Sequence, residues 1–239
     1  MNKAETILLC CISELAIIML VFTANLFNSF IYAFFYNLLY GIGVSVLLPL
    51  MLLAKERSDL SAVGIKRLGT RQIIVLISFI VFSAAGQIIP KLISRESLSW
   101  NVLPIAILPL IMTTFFEEFL FRGFLQTRLE RHFGTCTAIV ASGLLFSLYH
   151  LGYPGFRTLN DILLLFAVGV GFALSYKLSD NNMIVSYFVN LPNAFITYVL
   201  KYEQFPVMTA ESSIYAGITI ISIAILIFIK KFKFWRKNV

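Results

Sequence analysis

Apolar residues fall along the chain in long blocks, separated by short polar clusters. A helix crossing the hydrocarbon core of a membrane needs ~20 mostly apolar residues. Blocks at about 6–27, 30–53, 73–90, 102–125, 134–151, 162–178, 183–200 and 212–229 meet that requirement. The pattern predicts an all-α, polytopic membrane protein of about eight transmembrane helices. No internal repeat, low-complexity tract or Pro/Gly/Ser linker divides it, so residues 1–239 read as a single membrane-embedded domain.

Composition agrees. Hydrophobic residues make up 59% of the 239, against roughly 45–50% in soluble proteins. Charged residues make up 13%, about half the usual quarter. Mean hydropathy is +0.88, and 23 residues are phenylalanine. The first block, "ETILLCCISELAIIMLVFTANLF", has one lysine before it, Glu14 in its middle and no small-x-small cleavage site. It is expected to be a retained helix and not a signal peptide. The final residues, "KKFKFWRKNV", are not a C-a-a-X box, so the chain is not expected to be prenylated itself. Cys10, Cys11 and Cys136 lie in or beside blocks without C-x-x-C spacing, which argues against a disulfide framework or a thiolate metal site.

Charge distribution supplies orientation. With eight spans, the N-terminus, loops 2–3, 4–5 and 6–7 and the C-terminus share one side. That side carries 15 of the 19 Lys+Arg. Lys91, Arg95, Arg157 and Lys201 fall on the other. The positive-inside rule then makes both termini cytoplasmic. The net charge of +7 is therefore topological, with some attraction to anionic lipid heads. Membrane lipids are the expected surroundings and nucleic acid is not an expected partner.

Charge inside a span costs about 2.5–3.5 kcal/mol on insertion scales, so such residues face partners or wet cavities. "TTFFEEFLFRGFL", residues 113–125, places Glu117, Glu118 and Arg122 there. Glu118 and Arg122 are i and i+4, the spacing at which opposite charges meet. Glu117 is rotated about 100° away and projects toward another helix. The bland alternative is one ion pair that neutralises Arg122, with the leftover carboxyl protonated.

"FSLYHLGYPGF", residues 146–156, puts Phe146 and His150 on one face of the fifth span. The fourth and fifth spans join tightly around "RHFGT", forming an antiparallel hairpin. Glu117 and His150 are equidistant in sequence from its centre at Phe133/Gly134. At ~1.5 Å per residue both lie ~25 Å from the tip, so carboxyl and imidazole can face each other. In "MIVSYFVNLPNAFITYVL", Asn190 and Asn193 are i and i+3, with Pro192 freeing backbone groups nearby. Interhelical glue is the bland reading for membrane asparagine. Glu14 reads equally as a protonated packing residue or as a cavity-lining acid.

Glu117-Glu118-x-x-x-Arg122 followed by Phe146-x-x-x-His150 resembles the first two motifs of the CPBP (Abi) family. That family unites CaaX prenyl endopeptidases of the Ras-converting type with bacteriocin-processing and related bacterial intramembrane proteases. The resemblance covers roughly residues 100–200 as a CPBP-like catalytic core. It implies helices enclosing an intramembrane polar cavity, in a prokaryotic cell membrane. The family's third motif, H-x-x-x-N, is degenerate here. Setting Asn193 at its asparagine puts Val189 at the histidine. Sliding by one puts Asn190 at the histidine and Ala194 at the asparagine.

The resemblance implies hydrolysis of a peptide bond in a membrane-associated protein or peptide. Glu117 is the expected general base for water, and His150 would orient that water or stabilise charge. An amide N–H of Asn193 or Asn190 would complete an oxyanion hole. Glu118 and Arg122 would support the site, with Phe146 and Asn190 beside them. Catalytic roles thus fall to Glu117, Glu118, His150 and Asn193. A zinc enzyme would need three protein ligands, and the motifs offer only His150 and the glutamates. A metal-independent mechanism without cofactor is expected, with zinc as the alternative. Two other functions compete. One is an inactive scaffold, immunity or regulatory protein of the same fold, favoured by the missing histidine. The other is a proton- or ion-coupled transporter using Glu14, Glu117 and His150, for which paired broken helices are not evident.

Overall fold

The computed structural model describes residues 2–95, 100–155, 158–200 and 208–237. Arg157 and Lys201, two of the residues counted above for topology, lie outside them, as does Phe156. Eight helices are long and apolar enough to cross a membrane. We label them α1 (Lys3–Ala24), α2 (Ser29–Lys55), α3 (Thr70–Ile93), α4 (Trp100–Phe133), α5 (Thr135–Gly152), α6 (Leu159–Leu178), α7 (Met183–Leu200) and α8 (Ala210–Lys231). Among the described residues there is no strand. The protein is an integral, multi-pass membrane protein.

Local chemistry marks several ends. Asn2 caps α1 reciprocally with Glu5, and Thr158 caps α6 with Asp161, each satisfying backbone donors that no helical carbonyl can reach. Gly134, at φ 81°, is the sole residue between α4 and α5. A positive φ there favours glycine, and it makes the hairpin as tight as the spacing suggested. The fourth block is longer than its apolar run, because α4 continues to Phe133 through the mostly polar stretch 126–132. At 34 residues it is roughly 50 Å long, well beyond a ~30 Å hydrocarbon core.

α4 is the centre of the bundle. It packs on α2, α5, α6, α7 and α8, while α1 covers α2 and the end of α5. Every residue from Phe116 to Gln126 is buried, so this helix is enclosed on all faces. α3 has no buried residue and lies at the periphery against α7. Large side chains such as Phe82, Phe228 and Leu159 are exposed on the outer surface, as lipid contact requires.

Polar links gather at the loops between even- and odd-numbered helices. Lys177 Nζ lies 2.5 Å from Glu130, and Arg128 Nη2 donates to both oxygens of Glu56 at 3.0 and 2.9 Å. Asn182 Nδ2 donates to the Arg67 carbonyl at 3.1 Å, and Arg71 pairs with Asp180 at 3.0 Å. Loops 2–3, 4–5 and 6–7 therefore lie together on one side.

Candidate active site

Within α4 the backbone changes from ordinary helix to wider, i→i+5 turns over Glu118–Gln126. Such widened turns are uncommon and concentrate at functional sites. The change begins directly after Glu117. One carboxylate oxygen of Glu117 accepts a hydrogen bond from the Tyr149 hydroxyl. Its other oxygen accepts from Asn190 Nδ2 at 2.9 Å. The same Nδ2 donates to Glu118 Oε1, also at 2.9 Å. One amide of α7 thus bridges two consecutive carboxylates of α4.

Glu118 and Arg122 form the expected i, i+4 ion pair, but at 3.6 Å and without a hydrogen bond. The guanidinium is committed elsewhere. Arg122 Nη2 donates to the Gly169 carbonyl of α6 at 2.9 Å, and its plane lies 4.6 Å from the Phe146 ring and 5.5 Å from Phe172. Cation–π contact with those rings partly offsets the desolvation of the buried charge. Arg122 therefore joins three helices: α4, α5 and α6.

His150 stands in the last turn of α5, which tightens over Tyr149–Gly152. Its Nδ1 is 2.8 Å from the Phe146 carbonyl. A carbonyl only accepts, so Nδ1 carries the proton and Nε2 is the basic nitrogen. The imidazole lies 5.1 Å from the Phe146 ring and 4.1 Å from that of Tyr149. Glu117 and His150 keep 7% and 8% of their surface exposed, whereas Glu118 and Arg122 keep none.

The carbonyl side of Asn193 faces α3. Its Oδ1 accepts from Ser83 Oγ at 2.9 Å and Gln87 Nε2 at 2.8 Å, both on α3. Thr197 Oγ1 adds a bond to Gln87 Oε1 at 2.8 Å. Three residues along a helix leave Asn193 about 60° from Asn190, enough to turn it from α4 to α3. Asn190 alone reaches the glutamates, and with two hydrogens already donated it has none for an oxyanion.

Sequence reasoning missed Tyr149, although it directly precedes His150 in "SLYH". Its ring is fully buried among Tyr40, Phe121 and Tyr153. Behind it, Tyr36 hydrogen-bonds Tyr153 at 2.6 Å and Thr113 at 3.2 Å. A tyrosine before a membrane histidine at a helix end was the available signal. Among the described residues no three of His, Cys, Asp and Glu converge, and both Glu117 oxygens are engaged by Tyr149 and Asn190.

This geometry sits inside a recognisable stretch of chain. Residues 99–191 match a family model described as type II CAAX prenyl endopeptidase Rce1-like. That segment belongs to the CPBP family. It is less than half of the chain, but this CPBP segment contains Glu117, Glu118, Arg122, Phe146, Tyr149, His150 and Asn190. Asn193 falls just beyond its end. No curated protein and no solved structure matches the chain.

Proposed function

We propose that the protein is an intramembrane endopeptidase that hydrolyses a peptide bond in a membrane-associated protein or peptide. The observation that carries this reading is Glu117, a buried carboxylate inside the CPBP segment. It is fixed by Tyr149 and Asn190 from two other helices and keeps a small exposed surface.

Glu117 takes the proton from an attacking water and returns it to the leaving amine. Tyr149 and Asn190 hold the carboxylate, so little reorganisation is needed when charge moves. His150, with Nε2 as its basic nitrogen, orients the water. Glu118 and Arg122 are positioning residues, keeping α4 in register with α5 and α6. No metal or cofactor enters the scheme. Both termini lie in the cytoplasm, on the charge bias of the loops.

A second reading is an inactive CPBP-fold scaffold, favoured by the amide of Asn190 where a third-motif histidine would stand. One comparison separates the two. Wild type, Glu117→Gln and His150→Ala are reconstituted in liposomes with prenylated and unprenylated peptides. Cleavage by wild type, lost in both variants, supports the protease. Equal cleavage by all three, or none by wild type with any peptide of either class, supports the scaffold.

A further inference from the structure

The end of α5 is tied to α4 at two levels. At the first, the Tyr149 hydroxyl donates to Glu117. At the second, Tyr36 of α2 completes the tie. Its hydroxyl hydrogen-bonds Thr113 Oγ1 on α4 at 3.2 Å and the Tyr153 hydroxyl, just past α5, at 2.6 Å. Thr113 precedes Glu117 by four residues, and Tyr153 follows Tyr149 by four. In an antiparallel hairpin those two steps run the same way, so the ties are successive rungs about one helical turn apart.

The second rung needs a third hydroxyl for a backbone reason. α5 tightens over Tyr149–Gly152, and Tyr153 is already extended, at φ −92° and ψ 134°. An extended residue no longer follows the helix face, and Tyr36 bridges it back to α4. His150 lies between the rungs. Its ring is 4.1 Å from that of Tyr149 and 5.7 Å from that of Tyr153, and the Tyr153 N–H donates to the His150 carbonyl at 2.9 Å. α1 packs closely against the same turn: a Cβ on Gly152 would lie 2.9 Å from the Ile18 carbonyl oxygen. The turn is therefore fixed at its backbone, and the Tyr153 ring bounds one side of the imidazole. Tyr36 and Tyr153 are both buried, where breaking a hydroxyl pair is costly.

We propose that Tyr36 is a positioning residue: by bridging Thr113 and Tyr153 it holds the Tyr153 ring, and through it the His150 imidazole, in place. Its effect on turnover rests on the protease reading, whereas its effect on the imidazole does not.

The chain has two histidines, His132 and His150. Full-length protein carrying isotope-labelled histidine in detergent therefore gives two sets of imidazole NMR signals, and His150→Ala assigns them. Tyr36→Phe, which keeps the ring, should shift or split the His150 signals and leave those of His132 unchanged. Peptide cleavage of the kind that Glu117→Gln abolishes should fall about ten-fold in kcat, with KM within about two-fold of wild type. A hydroxyl that serves the fold alone would lower Tm and leave the His150 signals as in wild type, which overturns the proposal. Moved signals with an unchanged kcat overturn it too. Should wild type cleave nothing, the protease reading fails and the His150 signals alone decide this inference. Should Tyr36→Phe fail to fold, Thr113→Val removes the other end of the bridge, and unmoved His150 signals in that variant overturn the proposal.

Discussion

Asn190 on α7 donates to Glu117 on α4 over 2.9 Å, and the same nitrogen serves Glu118 at 2.9 Å. A primary amide has two N–H hydrogens, so both are committed and only its carbonyl oxygen is left. Asn190 therefore positions the acid pair and has no hydrogen left for an oxyanion. Adjacent glutamates point in different directions on a helix, yet one amide gathers them. That lets one carboxylate carry the structural pairing with Arg122 while the other faces the reacting atoms.

Asn190→Ala removes the donor from two buried carboxylates at once. Stability should fall by about 1–3 kcal/mol, read as a lower Tm in detergent. Peptide cleavage should drop by about 10²-fold. Full cleavage with a lowered Tm would show that Asn190 serves the fold alone.

Tyr149→Phe keeps the buried ring and deletes one hydrogen-bond donor. Because the hydroxyl touches Glu117 and no substrate, the loss should appear in kcat, by about ten-fold. KM should stay near its wild-type value. A raised KM with unchanged kcat would place Tyr149 in peptide binding instead.

Asn193→Ala should separate the two asparagines. It breaks the polar ladder with Ser83 and Gln87 that holds the peripheral α3 against α7, costing about 0.6–2 kcal/mol of stability. Cleavage should stay within about three-fold of wild type. A loss as large as that of Asn190→Ala would mean that α7 turns during the reaction.

The contrast shows what the sequence could and could not carry. Eight spans were legible because blocks of about twenty apolar residues have one main explanation. The tight hairpin was legible from the "RHFGT" joint, where Gly134 takes the positive φ. The i, i+4 spacing of Glu118 and Arg122 was legible too, but not that the guanidinium's hydrogen bond goes to a backbone carbonyl of α6. Carbonyls carry no sequence signature. Choosing between Asn190 and Asn193 needed the rotation of α7, and an angular difference of about 60° is finer than spacing rules resolve. The i→i+5 turns of α4 leave no periodic mark, because every residue of Glu118–Gln126 is buried.

Arg122→Lys should be costly despite the conserved charge. The ammonium is a compact point charge that cannot both lie over Phe146 and reach Gly169 as the planar guanidinium does. A charge left poorly paired in the bundle core costs about 3–5 kcal/mol when its partners are lost. Lower yield of folded protein and a Tm reduced more than in Asn190→Ala are expected. Equal thermal stability of Arg122→Lys and wild type would show that Glu118 alone holds the cation.

Gly169→Ala tests the packing that stands behind His150. A Cβ at Gly169 would lie 2.9 Å from the Gly143 carbonyl oxygen and 2.9 Å from Phe146 Cδ1. The first is backbone and cannot yield, so α5 and α6 must part. The second shifts the ring against which both Arg122 and His150 rest. Overpacking of this kind costs about 1–3 kcal/mol. Moving α5 outward also carries His150 and Tyr149 away from Glu117, and a displacement near 1 Å lowers turnover by about 10²-fold. Gly171 on the same helix has nothing within 4 Å of its Cβ position, so Gly171→Ala should leave Tm and cleavage near wild type. Losses of similar size in both variants would point to helix propensity instead of the α5–α6 contact.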